Sequence, residues 1–207
     1  MAEFRTVAAE IRHEIDKVKG SRFLATLVPV QDEAEIDAAL SRIRAEFRDA
    51  THNCWAWRLG RDSERFRYSD DGEPSGSAGR PMLQQIDGRG LTNVLAIVTR
   101  FYGGTKLGVG GLVRAYGQAT SDALDHAEIA TVRIRTRIEI TYGYDLSNAI
   151  QSLIAATDLE VVTSEYGSNI RIEVLVPEEN VNAFLDDLRD RTADRAIGRI
   201  LDGGATS

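Results

Sequence analysis

Glycine is concentrated in the middle of this chain, and this limits the structures that the segment can form. Eleven of the eighteen glycines lie between Gly72 and Gly117, interleaved with acidic and basic side chains. Glycine is unfavourable inside regular helices and strands, but it suits sharp turns and the close approach of two backbone segments. The segment therefore predicts a site that is built from loops.

An unbroken apolar stretch, residues 93–99, separates two glycine-rich loops. Such a run is typical of a central strand that is buried on both faces. The first loop, residues 70–79, precedes Pro81, which suits the first turn of a helix because it lacks an N–H group. The second loop, residues 101–111, precedes a predicted helix at 112–127. Each loop is therefore expected to lead into a helix.

The N-terminal part has the patterns of an α+β domain. Strands are predicted at residues 23–30, 53–59 and 66–69, the last two as a hairpin. Asp32 and Glu35 have the spacing of a helix capping box. Apolar residues then recur on one helical face, at Ile36, Leu40, Ile43 and Phe47. The first 19 residues are compatible with either strand or helix.

Beyond Ala130 the predicted order is β-α-β-β-α-β, the plan of ferredoxin-like domains. The strands are expected at residues 132–140, 159–166, 169–176 and 196–201, and the helices at 146–157 and 178–189. We therefore predict an α+β protein of two domains, residues 1–129 and 130–207. The glycines near the end predict a flexible tail over residues 202–207.

Charge is distributed unevenly along the chain. The net charge is -7, yet residues 51–117 carry nine basic and six acidic side chains. An anionic partner is therefore expected at the glycine-rich segment. The acidic balance elsewhere argues against unspecific coating of nucleic acid, which usually requires a basic face.

Composition also excludes several classes of protein. A single cysteine, Cys54, excludes an internal disulfide and a thiolate metal cluster. The sequence has no apolar run long enough to span a bilayer and no N-terminus of the secretory kind. We therefore predict a cytoplasmic protein that does not act in the membrane.

The two loops are candidate sites for an anion or a partner. Free N–H groups at residues 75–79, before a helix start, suit a phosphate. Basic side chains nearby would add charge-assisted hydrogen bonds. The candidate binding residues are Ser75, Ser77, Arg80, Arg100, Tyr102, Lys106 and Arg114. The glycines that would shape the loops are Gly76, Gly79, Gly103, Gly104, Gly108, Gly110 and Gly111.

A structural alternative remains open for these loops. The glycines would then only make tight turns, and the bases would pair with the acidic loop residues Asp70, Asp71 and Glu73. Those three acids are also candidate ligands of a divalent cation. Three acids in four residues more often cap a turn, however, and we predict neither a metal nor a cofactor. The P-loop and Rossmann patterns both fail in the second loop, because Val109 and Val113 stand where the motifs require other residues.

Three further groups of residues have both a structural and a functional interpretation. His52 and Cys54 share one face of a strand, either as a base and nucleophile or as a hydrogen-bonded histidine and a packed cysteine, and we favour the second. Trp55 and Trp57 share the other face and are interpreted as core residues rather than a stacking platform. Three arginines, Arg133, Arg135 and Arg137, are expected to form cross-strand ion pairs rather than to bind RNA.

The central stretch resembles the IMPACT/YigZ family. The resemblance lies in residues 52–58 (HNCWAWR), 69–82 (SDDGEPSGSAGRPM), 93–94 (NV) and 100–116 (RFYGGTKLGVGGLVRAY). One departure is Phe101 followed by Tyr102, where the family usually has Tyr-Phe. The C-terminal part is similar to the DUF1949 domain that bacterial members carry.

The resemblance implies an N-terminal domain of the ribosomal protein S5 domain 2 type and a ferredoxin-like C-terminal domain. Eukaryotic relatives regulate translation, whereas bacterial members have no settled biochemical activity. The first hypothesis is therefore a translation-associated regulator that binds RNA, the ribosome or a protein through the loops. A binder or enzyme acting on a phosphorylated small molecule or nucleotide is the second, and a plain scaffold is the third. Catalytic residues are not assigned.

Overall fold

The structure is a computed structural model that describes residues 3–157, 159–201 and 205–206. The chain forms two compact units, Glu3–Thr131 and Val132–Ser207, which we call unit 1 and unit 2. Both contain helices as well as strands. Among the described residues, no helix combines the length and the hydrophobicity that a membrane crossing requires.

Unit 1 is built around a five-stranded antiparallel sheet. Its elements in chain order are β1 (Glu3–Val7), β2 (Ile11–Glu14), β3 (Arg22–Pro29), α1 (Glu33–Glu46), β4 (His52–Leu59), β5 (Arg65–Ser69), α2 (Gly79–Gly88), β6 (Val94–Phe101) and α3 (Val109–His126). The sheet has the strand order β2-β3-β6-β4-β5. These elements confirm the predicted strands and helices of this region to within a few residues. Both strand and helix were compatible with the first 19 residues, and the described part of this segment, residues 3–19, contains the strands β1 and β2.

The central strand is β6, as its unbroken apolar sequence predicted. All of its residues except Phe101 are buried. Leu95 and Ile97 pack in a cluster with α1 on one face of the sheet. Ala96 and Val98 pack with α2 and α3 on the other face. Unit 1 is therefore a three-layer arrangement with helices on both sides of the sheet.

Helix α1 begins as its sequence predicted. The Asp32 carboxylate accepts a hydrogen bond from the Glu35 N–H at 2.8 Å. The Glu35 carboxylate reaches back to the N–H of Gln31, also at 2.8 Å. The two bonds satisfy N–H groups that a helix start would otherwise leave without partners.

The end of β6 lies beside the beginnings of β3 and β4. In the ladder registers, Arg22 is opposite Phe101 and His52 is opposite Arg100. The second loop leaves the sheet at this end and leads into α3. The polar side chains of the glycine-rich segment are therefore gathered at one end of the sheet.

Unit 2 contains most of β7 (Ile129–Tyr142), which begins in unit 1. Its other elements are α4 (Ser147–Thr157), β8 (Glu160–Tyr166), β9 (Ile170–Pro177), α5 (Val181–Thr192), β10 (Ile197–Ile200) and β11 (Ala205–Thr206), with short 3-10 turns before α4 and α5. The strands pair antiparallel in the order β10-β7-β9-β8. The predicted β-α-β-β-α-β order is confirmed.

The exposed face of the unit 2 sheet carries cross-strand ion pairs. Arg135 contacts Glu160 at 3.0 Å, Arg137 contacts Glu173 at 3.3 Å, and Arg171 contacts Glu139 at 3.4 Å. The pairs of Arg135 and Arg137 agree with the structural interpretation of these arginines.

The end of the chain differs from the prediction of a flexible tail. Ala205 and Thr206 pair with Arg135 and Ile134 of β7. Backbone pairing satisfies main-chain groups that a free tail would leave to water. The rest of the predicted tail, residues 202–204 and 207, lies outside the described residues.

Close backbone contact holds the second loop against the turn between β2 and β3. A Cβ atom at Gly103 would overlap the backbone of Gly20 and Ser21. The Gly103 N–H also donates to Ser21 Oγ at 3.2 Å. At Gly110, in the first turn of α3, the nearest atom to such a Cβ would be an Arg114 nitrogen at 3.8 Å.

This difference predicts opposite effects for two Gly→Ala substitutions. Gly103→Ala should destabilise unit 1 by about 1–3 kcal/mol, because backbone atoms must move to admit the methyl group. Gly110→Ala should be neutral or stabilise by up to about 1 kcal/mol, because alanine favours a helix. Urea unfolding followed by tryptophan fluorescence measures both, since Trp55 and Trp57 lie in unit 1. Equal changes in the free energy of unfolding for the two variants would contradict the close contact of Gly103 with the backbone of Gly20 and Ser21.

Candidate functional site

A buried carboxylate, that of Glu73, organises the glycine-rich segment. Its side chain is only 4% exposed. It accepts hydrogen bonds from Arg100 Nη1 at 2.5 Å and from the Tyr116 hydroxyl at 2.7 Å. Glu73 lies in the first loop, Arg100 near the end of β6, and Tyr116 on α3. One carboxylate therefore joins the loop, the sheet and the helix.

Arg100 is enclosed on several sides. Its side chain is 6% exposed, and Nη2 donates to Ser21 Oγ at 3.3 Å. The guanidinium group lies over the rings of Phe23 and Tyr102, at 5.5 and 5.6 Å. The prediction of Arg100 as an anion-binding residue is therefore corrected, because its charge is buried and is balanced by Glu73.

His52 and Cys54 both contact carbonyl groups of the first loop. His52 Nδ1 lies 2.7 Å from the Asp71 carbonyl, which can only accept, so this nitrogen carries the proton. His52 Nε2 lies 3.9 Å from the Glu73 carboxylate. The Cys54 thiol donates to the Asp70 carbonyl at 3.0 Å. These contacts support the interpretation of a hydrogen-bonded histidine and a packed cysteine.

The N–H groups of the first loop bind a side chain of the same loop. The Asp70 carboxylate accepts hydrogen bonds from the N–H groups of Gly76, Ala78 and Gly79 at 2.8–2.9 Å. The Ser77 N–H donates to the Pro74 carbonyl. The predicted phosphate cradle at residues 75–79 is therefore corrected, because Asp70 takes the place that a phosphate would occupy.

The three acids of the first loop point to different donors. Asp70 binds the loop amides, Glu73 binds Arg100 and Tyr116, and Asp71 accepts from the Asn53 N–H at 2.6 Å. Within the described residues, no group of three or more His, Cys, Asp and Glu side chains is arranged to hold a metal ion. The alternative in which these acids serve the fold is thus supported for this loop.

The other predicted binding residues differ in exposure. Ser77 is fully buried, and its hydroxyl has no hydrogen-bond partner among the residues that the structure describes. Ser75, Arg80, Tyr102, Lys106 and Arg114 are exposed. In the described part of the chain, Arg80, Lys106 and Arg114 form no ion pair. Among the loop glycines, Gly76, Gly104 and Gly108 have positive φ angles, a conformation that favours glycine.

A groove lies between the β2–β3 turn and the start of α3. It has a volume of about 280 Å³, and its charged lining residues are Lys19 and Arg114. The apolar and neutral lining residues are Ile15, Val18, Leu107, Gly111, Ala115 and Gln118. Gly108 precedes α3, and no side chain caps the helix start. Sequence reasoning missed Lys19, since its turn is distant in the chain from the second loop.

Burial suppresses ionisation inside this cluster. It raises the pKa of the Cys54 thiol from 9.0 to about 12. It also raises the pKa of Tyr116, whose hydroxyl interacts with Cys54 and Glu73. Because a thiol must ionise to act as a nucleophile, Cys54 is not activated at neutral pH. The sequence analysis placed Tyr116 only within the predicted helix at 112–127 and missed the contact of its hydroxyl with Glu73.

Comparison with known proteins confirms the resemblance. The model of the Impact N-terminal domain matches residues 19–124, and that of the domain of unknown function DUF1949 matches residues 140–195. An IMPACT family member of Haemophilus influenzae is 33% identical over 99% of this chain and 100% of its own length. The chain belongs to the IMPACT family. Glu73, Arg100 and Tyr116 all lie within the segment that matches the Impact N-terminal domain.

Other IMPACT proteins are similar to this chain over different lengths. YigZ of Escherichia coli is 35% identical over 85% of this chain and 87% of its own. Human protein IMPACT is 34% identical over 42% of this chain and 28% of its own. A solved structure described as a hypothetical protein has a TM-score of 0.72 and 32% identity, with 98% of both chains covered.

The buried ion pair predicts a large loss of stability for Glu73→Gln. The substitution keeps the shape of the side chain but removes the charge that balances Arg100, a change that typically costs about 3–5 kcal/mol. Urea unfolding followed by tryptophan fluorescence measures the free energy of unfolding of unit 1.

Glu33→Gln is the matched control for this prediction. Glu33 pairs with Arg65, but both side chains are about half exposed. Losing an exposed pair should cost at most about 1 kcal/mol. Similar losses in the two variants would show that the Glu73 pair does not organise the loop.

The raised pKa of Cys54 predicts a loss of stability at alkaline pH. The unfolded thiol ionises near pH 9, while the folded thiol keeps its proton to about pH 12. The unfolded state then binds fewer protons, so stability falls by about 1.4 kcal/mol per pH unit in this range. The stability of Cys54→Ala, measured by urea unfolding at each pH, should fall less steeply above pH 9. Parallel slopes would contradict the burial of the thiol.

Proposed function

We propose that this IMPACT protein is a non-enzymatic, translation-associated regulator that binds RNA, free or within the ribosome. The proposed contact is a basic surface formed by Lys19, Lys106 and Arg114. The observation that carries this proposal is that Lys106 and Arg114 are exposed without ion-pair partners in the described part of the chain. Lys19 and Arg114 also line the same groove.

The charges around this surface support an anionic partner. Many other arginines of unit 1 are neutralised by carboxylates, including Arg12, Arg22, Arg42, Arg58, Arg65, Arg89 and Arg100. Positive charge is therefore concentrated where no acid pairs with it. Exposed lysine and arginine release counterions from a nucleic-acid backbone on binding, and this release supplies affinity.

Tyr102 adds a feature that suits RNA more than a simple anion. Its side chain is 47% exposed and lies at the start of the second loop. One side of its ring has the Arg100 guanidinium within 5.6 Å, which helps to fix it in place. An exposed, fixed aromatic ring beside basic residues is a typical stacking partner for an unpaired base.

The buried cluster supports binding rather than catalysis. His52 and Cys54 are each bonded to a loop carbonyl, so they do not form a nucleophile and base pair. The raised pKa of Cys54 keeps the thiol protonated at neutral pH. The cluster therefore fixes the loops, and the exposed residues are left for a partner.

The architecture is compatible with a role in translation. We infer that unit 1 is a domain of the ribosomal protein S5 domain 2 type. We assign unit 2 to the ferredoxin-like fold on its strand order, β10-β7-β9-β8. The predicted domain limits, 1–129 and 130–207, and the cytoplasmic location belong to the same proposal.

A phosphorylated small molecule is the second candidate partner. The groove of about 280 Å³ supports it, because several apolar lining residues together with Lys19 and Arg114 suit a compact molecule with a phosphate. Its binding would not use the first loop, whose N–H groups are bonded to Asp70.

The double substitution Lys106→Glu with Arg114→Glu tests the RNA proposal. Binding of labelled single-stranded RNA should weaken, and the slope of log affinity against log salt should become shallower by about 1.4, or 0.7 for each lost phosphate contact. Fluorescence anisotropy between about 50 and 200 mM salt measures both quantities.

The matched control is Arg48→Glu with Arg67→Glu. It changes the net charge equally, but both residues lie on the α1 side of the sheet: Arg48 follows α1, and Arg67 is opposite Trp57 of the α1 cluster. Equal loss in the two double variants would contradict the proposed surface. Thermal stabilisation by phosphate or a nucleotide, without any RNA binding, would favour the second candidate.

A further inference from the structure

Strand β5 ends the unit 1 sheet and has one unpaired side. It pairs with β4 in a continuous register, from Trp55 opposite Ser69 to Leu59 opposite Arg65. Apart from this ladder, no backbone group of residues 65–68 has a hydrogen bond within the described residues. Ser69 is different, since Gly79 lies against its backbone. Every second residue of the range 65–68 therefore offers a free N–H and C=O group to a further strand, while the others bond to β4.

The two faces of this edge have different chemistry. Phe66 and Tyr68 project on one face and are 49% and 43% exposed. Arg65 and Arg67 project on the other face, because side chains alternate along a strand. Exposed aromatic residues on an unpaired edge are normally avoided in soluble proteins, because such an edge recruits other strands.

Two other edge strands are protected in ways that β5 is not. In unit 2, the pairing of β8 shifts register between Val161 and Thr163, which interrupts its regular edge. In unit 1, the side chains of β2 are already engaged. Arg12 pairs with Glu46, Glu14 pairs with Arg22, and His13 stacks on His126.

The charges of β5 select between possible occupants. The strand contains no acidic residue, and Arg67 has no ion-pair partner in the described part of the chain. If two copies paired antiparallel through this edge, centred on residue 67, Arg67 would face Arg67 of the second copy. Like charges directly opposite each other destabilise a pair of strands. An acidic segment is therefore favoured over a second copy of this chain.

We propose that the free edge of β5 binds an extended, acidic segment of a protein partner as an added sixth strand. An acidic side chain would face Arg67, which is unpaired in the described part of the chain, whereas Arg65 is already paired with Glu33. Apolar side chains on the other face of the added strand would cover Phe66 and Tyr68. Main-chain hydrogen bonds would supply affinity, and the alternating side chains would supply specificity. This site is separate from the basic surface proposed for RNA.

The test uses the full chain and a labelled peptide of about six residues that alternates glutamate with valine. Fluorescence anisotropy should show binding, and hydrogen exchange should be slower at those amides of residues 65–68 that do not bond to β4. A peptide with lysine in place of glutamate should not bind. Two further peptides carry N-methyl groups on alternate backbone nitrogens, at the odd or at the even positions. Only one of the two should lose binding, since only one set of N–H groups would face β5.

Two charge reversals provide the matched comparison on the protein. Arg67→Glu should weaken binding of the glutamate peptide by at least about fivefold, because an attraction becomes a repulsion. Arg48→Glu makes the same change of charge at an exposed position after α1 and should leave binding unchanged. Arg67→Glu should keep the thermal unfolding of the original protein, since Arg67 is exposed. Arg48→Glu should lower the unfolding temperature only slightly, through its lost hydrogen bond to the Ala45 carbonyl at the end of α1.

Several outcomes would overturn the proposal. The proposal is wrong if the glutamate peptide does not bind at about 1 mM, or if the lysine peptide binds equally well. It is also wrong if the two charge reversals weaken binding equally. Self-association of the protein that is lost in a variant with Phe66→Ser and Tyr68→Ser would assign the edge to a second copy instead. Sedimentation velocity distinguishes that case.

Discussion

The ion pair between Glu73 and Arg100 is the interaction on which the glycine-rich region depends. Both side chains are almost completely buried, so neither charge is solvated by bulk water. A buried charge is tolerated when an opposite charge and hydrogen bonds replace the lost water. The Tyr116 hydroxyl and Ser21 Oγ supply such bonds. The loop, the end of the sheet and α3 are thereby fixed relative to one another.

This internal pairing separates the charged residues of the region into two groups. Asp70, Asp71, Glu73 and Arg100 bind protein groups and so maintain the loop. Lys106 and Arg114 remain exposed, without ion pairs in the described part of the chain. The structural alternative therefore accounts for the first loop, while the second loop retains the properties expected of a binding surface.

The sequence predicted the elements better than the contacts between them. The apolar run of β6 and the capping residues of α1 act through their immediate neighbours, so a short window of sequence was sufficient. The direction of the Asp70 carboxylate was not predictable in this way. Acidic residues in turns usually face water, and only the fold of the whole loop turns this one toward three N–H groups.

The pairing of Glu73 with Arg100 shows the same limit at longer range. Glu73 was identified in the first loop and Arg100 as a basic residue near the loops, but their contact depends on the sheet register that places Arg100 opposite His52. Lys19 was missed because the fold alone brings the β2–β3 turn beside the start of α3. Sequence patterns identified the charged residues, and the three-dimensional arrangement determined which of them were already paired.

The strand order also determines how the two proposed surfaces relate within unit 1. The groove borders the turn after β2, and the free edge belongs to β5, at opposite ends of the order β2-β3-β6-β4-β5. Four strand spacings separate the two ends, which is about 19 Å. A peptide strand added to β5 would therefore extend the sheet away from the basic surface. Under the two proposals, an acidic peptide and an RNA strand would therefore use different residues of unit 1.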